Sequence, residues 1–193
     1  MPLLLASLLV ACDQPPNREL RAAETALSDA KKEGADVYAA ERLKEAEAAL
    51  AAARQKVEQK DYRGALSSAV DAAEKARAAA AAVPSAKVLL KSAAETAQAE
   101  AQAVLDEVVA IKEEAAQSKV PEAAFAAVQG RVAEVEAAIQ GVTDRLGESD
   151  LHGAQKAAAD LKARASGLAG EFRAALDKWL EEHPKGRKPP RKK

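Results

Sequence analysis

From residue 17 to residue 183 the apolar side chains recur at alternating steps of three and four. A 3.5-residue period presents one stripe along an α-helix, whereas a half-buried β-strand needs a period of two. The run Leu90, Ala94, Ala97, Ala101, Val104, Val108, Ile111 and Ala115 is the clearest instance. The chain is therefore expected to be all-α, with coiled-coil-like helices wound left-handedly about one another. Composition decides what fills the stripe. Of 193 residues 51 are alanine, the best helix former, and the only aromatics are Tyr38, Tyr62, Phe125, Phe172 and Trp179. Sandwiches, barrels and doubly wound sheets need β-branched and aromatic side chains that are scarce here. Alanine buries little area, so the expected core is thin and the helix axes close.

Punctuation divides this pattern into six helices. Asn17 is placed to cap a first helix that ends at Gly34, with Leu20, Ala23, Leu27 and Ala30 on its face. Asp36 caps a second, which reaches Lys60 on Leu43, Ala46, Leu50, Ala53 and Val57. Asp61 caps a third on Ala65, Ala69, Ala72, Ala76 and Val83, closed by Pro84. Ser85 caps the fourth, and Pro121 is the first helical residue of the fifth. After Gly147, a cap at Ser149 or Asp150 starts the sixth, whose face runs from Leu151 through Leu161, Leu168, Phe172 and Ala175 to Trp179. Short connections imply antiparallel neighbours. The expectation is six antiparallel helices in two three-helix units, residues 17–84 and 85–183.

The two units are related. A shift of 89 residues brings Leu43 onto Val132, Leu50 onto Ile139, Val57 onto Leu146, Asp61 onto Asp150, Gly64 onto Gly153 and Ala65 onto Ala154. Two heptad sequences always align on their apolar positions, so the shared Asp-x-x-Gly-Ala turn is the discriminating match. With a two-residue slip, Tyr38-Ala39-Ala40 also meets Phe125-Ala126-Ala127. This reads as duplication of a three-helix unit; the alternative is convergence of two alanine-rich hairpins on one turn type. In the first unit, Tyr38-Ala39-Ala40-Glu41-Arg42-Leu43 and Lys60-Asp61-Tyr62-Arg63-Gly64-Ala65 are similar to a helical domain of periplasmic lipoproteins that often precedes an OmpA-like domain. The resemblance covers residues 18–83. The second copy stands where the OmpA-like domain would be, so the peptidoglycan binding of such neighbours is not carried over.

Residues 2–11 carry no charge, and Leu3, Leu4, Leu5, Leu8, Leu9 and Val10 form an apolar run too short to span a bilayer. It ends in Leu9-Val10-Ala11-Cys12, and Cys12 is the only cysteine. Here the chain resembles bacterial lipoprotein precursors. The resemblance implies a signal peptide over residues 1–11, cleavage before Cys12, and acylation of its thiol and new amino group. Two or three acyl chains anchor a protein where one does not, at roughly 0.8 kcal/mol per buried methylene. Such signals normally begin with a basic segment, and no Lys or Arg precedes this one; a start upstream of Met1 would supply it. Asp13 marks inner-membrane retention in enteric bacteria, a rule that does not extend to other lineages, so both membranes stay open. Residues 12–16 form the lipidated cysteine and a short proline-stiffened tether.

Catalytic chemistry is poorly provided for. The carboxylates, among them Glu45, Glu47, Glu113, Glu114, Glu134 and Glu136, alternate with Lys and Arg along helix flanks. His152 and His183 are the only histidines and have no partner of metal-binding type nearby in sequence, and no glycine-rich phosphate loop is present. No cofactor, metal site or enzymatic activity is expected. The tail, residues 184–193, is expected to be disordered and holds Lys185, Arg187, Lys188, Arg191, Lys192 and Lys193; without it the chain has 23 basic against 30 acidic residues. Those six cations are candidates for binding a polyanion such as anionic lipid or cell wall, and nucleic acid is not an expected partner of an exported chain. Lipobox, heptads and a terminal lysine also resemble the Braun-type lipoproteins joined to peptidoglycan through that lysine, though this chain is far longer and folds back. The sequence thus points to a non-catalytic envelope lipoprotein, membrane-anchored and facing the periplasm, acting as a helical spacer or scaffold for an envelope protein. The alternative is a carrier that holds a lipid or peptide between amphipathic helices.

Overall fold

The computed structural model describes residues 14–184, and among them it is all-α, with no strand. The helices are α1 (Asn17–Lys32), α2 (Ala35–Tyr38), α3 (Ala40–Glu58), α4 (Tyr62–Gln117), α5 (Ala126–Gly147), α6 (Leu151–Ala165) and α7 (Leu168–Glu182), with a 3₁₀ turn at Glu122–Phe125 before α5. They form two compact units, the first ending at Lys87 and the second beginning at Val88.

In the first unit α1 and α3 run antiparallel, tied by Glu24–Arg54 at 2.7 Å and Lys31–Glu47 at 2.6 Å. Ala23, Leu27 and Ala30 of α1 meet Leu43, Ala46 and Leu50 of α3 and Ala72, Ala76, Ala79 and Val83 of α4. Alanine is most of this core, which small side chains can close only when the helices approach tightly. The second unit uses larger groups. Val108, Ile111, Val135, Val142, Leu161, Leu168, Phe172 and Leu176 are all essentially inaccessible. Phe125 and Phe172 stack with centroids 5.4 Å apart. Helices α5 and α6 form an antiparallel hairpin, tied by Arg145–Asp150 at its turn and Arg164–Glu134 further along. Among the described residues every buried side chain is apolar.

The repeated turn is the same object twice. After α3 the Lys60 N–H donates to Val57 O and the Asp61 N–H to Lys56 O; after α5 the Ser149 N–H donates to Leu146 O and the Asp150 N–H to Arg145 O. Lys60 and Ser149 both take φ 61°, the left-handed residue that closes such a helix end. Each following Asp then caps the next helix, Asp61 Oδ1 accepting from the Gly64 N–H and Asp150 Oδ1 from the Gly153 N–H, both at 2.9 Å. Of the two caps expected at the second turn, Asp150 is the one used.

Five boundaries differ from expectation. Pro84 does not close a helix: α4 runs through it from Tyr62 to Gln117. A helical proline forfeits one backbone hydrogen bond and costs about 3 kcal/mol. Burial of Ala79 and Val83 before it, and of Ala94 and Ala97 after it, holds the chain helical on both sides. Ser85 accordingly caps nothing, and its hydroxyl donates back to Ala82 O at 2.9 Å. The expected second helix is instead α2 and α3, parted at Ala39 (φ −142°, ψ 36°), and Asp36 makes no capping bond. Pro121 is extended (ψ 148°) and precedes the 3₁₀ turn rather than starting α5. The expected sixth helix breaks at Ser166 and Gly167, the latter at φ 77°. That break resets the stripe, so Leu176 rather than Ala175 becomes fully buried. At the N-terminus Asn17 is the first helical residue and provides no side-chain cap.

Candidate functional site

Cys12 and the tail cations Lys185, Arg187, Lys188, Arg191, Lys192 and Lys193 lie outside the described residues, as does the apolar run of residues 1–11. The description starts at Gln14, two residues after Cys12. Pro16 is already buried, the Asn17 N–H donates to Pro15 O at 2.8 Å, and the Leu20 N–H donates to Pro16 O at 3.0 Å. The chain is therefore committed to α1 almost at once. Five Cα steps separate Cys12 from Asn17, a reach of at most about 18 Å.

The end of the first unit that carries this entry also carries the α3–α4 turn. The Glu24–Arg54 and Lys31–Glu47 pairs keep one antiparallel register, which extends to place Arg18 and Arg21 level with residues 57–60. Arg18, Arg21, Lys60 and Arg63 are exposed, and none of them is in an ion pair among the described residues. Lys31, Lys32, Lys44, Arg54 and Lys75 of the same unit are paired, whereas Arg42, Lys56, Arg77 and Lys87 are, like the four, in no ion pair among the described residues, Lys56 bonding to Ser68 and Lys87 lying over the Tyr38 ring. Beside the four cations Tyr62 is half-buried, and Leu66 is 42 % exposed.

Elsewhere the polar groups serve the fold. Arg131 of α5 reaches across the α6–α7 break, pairing with Glu171 and donating to Arg164 O at 2.9 Å. It thereby satisfies a carbonyl that the end of α6 leaves without an intrahelical partner. Exposed carboxylates hold nearby cations protonated above their usual range: the Lys44 ammonium is hydrogen-bonded to Glu41, Lys75 to Asp71, Arg164 to Asp160 and Arg173 to Glu114. His183 lies with Nδ1 2.9 Å from Trp179 O and its ring stacked on the indole at 4.3 Å. Trp179 in turn packs against the second core. His152 is exposed. Among the described residues no cluster of His, Cys, Asp and Glu has the geometry of a metal site.

Concavities are open grooves between helices. One of about 530 Å³ runs between α1 and α4, floored by Ala22, Ala26, Ala30 and Ala80 and rimmed by Asp29 and Arg77. Another of about 230 Å³ in the second unit is lined by Ala97, Ala101, Val104 and Ala165. Small side chains and charged rims make these the outer seams of a bundle, with little apolar area to hold a ligand. No helix among the described residues is long and apolar enough to cross a membrane. The chain matches no family model, no curated protein and no solved structure.

Two features escaped the sequence reading. The Arg131 clamp is set by a break within the sixth helix that the heptads conceal. The four-cation end is assembled from two segments up to 45 positions apart; its one local signal is Lys60 and Arg63 flanking the capped turn.

Proposed function

We propose that this protein is a non-catalytic lipoprotein of a bacterial cell envelope, anchored through acylated Cys12, whose helical units act as a spacer or a scaffold for an envelope protein. The observation that carries this reading is Leu9-Val10-Ala11-Cys12 closing an uncharged apolar run, five residues ahead of a helical body. The signal peptide and the periplasmic face of a membrane follow from it. Apolar cores in both units, with no buried polar side chain among the described residues, favour a spacer over an enzyme. Alanine-floored grooves favour it over a carrier, which would expose the larger Val, Leu and Ile side chains to a ligand. The basic tail then extends the anchored body toward anionic lipid or cell wall.

Metabolic labelling with a fatty-acid analogue tests the anchor. The wild-type chain expressed in a bacterium should take up label and sediment with membranes, and Cys12→Ser should do neither. An unlabelled wild-type chain retaining residues 1–11 would overturn the reading. Crosslinking of the anchored protein in intact envelopes tests the scaffold role, which requires recovery of a defined envelope partner.

A further inference from the structure

We infer that the end of the first unit built from the start of α1 and the α3–α4 turn is a docking face for anionic phospholipid headgroups, with Arg18, Arg21, Lys60 and Arg63 as the binding groups. The inference rests on the Cys12 anchor, because the tether is what brings this end to a bilayer. Acyl chains on Cys12 would hold Asn17 within about 18 Å of the lipid surface, since residues 13–16 are few and Pro16 is already packed. The end that must face the lipid is then the one where α1 begins.

Its charge suits that position. The four cations are exposed and outside every ion pair among the described residues, and set against Glu19, Glu58 and Asp61 they leave this end with a net positive charge. Asp61, the nearest acid in the turn, is engaged in capping Gly64. Residues 17–87 carry 13 basic against 12 acidic groups, whereas residues 88–183 carry 10 against 17, so only the first unit avoids net repulsion from an anionic surface. Arg63 and Leu66 share one face of α4, and Tyr62 stands at the helix start, which places amphipathic side chains beside the cations. Basic groups around an aromatic and a partly exposed leucine match the headgroup layer, where charge and apolar contact act together.

Vesicle flotation tests this with the mature chain beginning at position 12, carrying Cys12→Ser and with the six tail cations changed to Gln, so that neither acyl chain nor tail contributes. It should float with vesicles of equal parts phosphatidylglycerol and phosphatidylcholine, less so as salt rises, and not with phosphatidylcholine alone. Adding R18Q, R21Q, K60Q and R63Q should weaken partition more than ~10-fold with helicity by circular dichroism unchanged. L66Q alone should weaken it at every salt concentration. Equal flotation of the four-site variant, or no flotation of its parent, would overturn the docking face. Acylation in cells without flotation here removes the face and leaves the anchor; flotation without acylation removes the anchor and supports the face.

Discussion

At Gly64 and Gly153 the capping carboxylate occupies the space a side chain would take. A Cβ at Gly64 would lie 2.1 Å from Asp61 Oδ2, and one at Gly153 1.8 Å from Asp150 Oδ2. Alanine normally stabilises a helix interior over glycine by about 1 kcal/mol, but here it must displace the cap. Urea unfolding should therefore show Gly64→Ala and Gly153→Ala losing about 1 kcal/mol, close to the effect of Asp61→Ala. Gly130→Ala and Gly141→Ala, where a Cβ meets nothing within 4 Å, should instead gain about 0.5–1 kcal/mol. The Asp-x-x-Gly spacing was legible in the sequence because both partners lie within one turn. The idle Asn17 was not, since the backbone carbonyls of Pro15 and Pro16 take the first donors. The paired lysines give a pH test. Hydrogen bonds donated to Glu41 and Asp71 raise Lys44 and Lys75 above the usual lysine range, so their contribution is complete below that range and is lost as pH rises through the raised values. Melting temperatures of the wild type and of K44M and K75M should differ by a constant amount at neutral pH and converge only in strong alkali.

Among the elements, α4 and the α6–α7 break respond in opposite directions to the same kind of residue. Pro84 removes an N–H from the interior of α4, so Pro84→Ala should stabilise the protein, by up to about 3 kcal/mol, seen as a higher urea midpoint. No gain would mean that the turn around Pro84 is held by something other than helical hydrogen bonds. Gly167 sits at φ 77°, where a side chain costs about 1–2 kcal/mol, so Gly167→Ala should lower the midpoint. Arg131→Met should do the same by freeing the Arg164 carbonyl and Glu171. Sequence signals read Pro84 as a stop and passed over Gly167, and both readings fail for one reason. A breaker sets only a local cost, while the decision to end a helix also weighs the burial on either side.

Across the whole molecule the two units differ in what fills them. The first core is mostly alanine around a few leucines, whereas the second centres on Phe172, Ile111, Leu161 and Leu176. Phe172→Ala should therefore cost about 3–5 kcal/mol, felt first as faster hydrogen exchange in α5–α7 while amides of α1 and α3 keep their protection. Equal loss of protection in both units would show that they unfold as one. The all-α class, the buried stripe, and the turn at Asp61 with its counterpart at Asp150 are legible in the residue order alone. Each of these is written within one or two helical turns, where period and capping act. That α4 passes through Pro84, that the last helix breaks at Gly167 and buries Leu176, and that Arg18 and Arg21 join Lys60 and Arg63 at one end emerge from the packed fold. Those outcomes depend on packing between segments far apart in sequence, whose burial energy outweighs a local preference of about 1–3 kcal/mol.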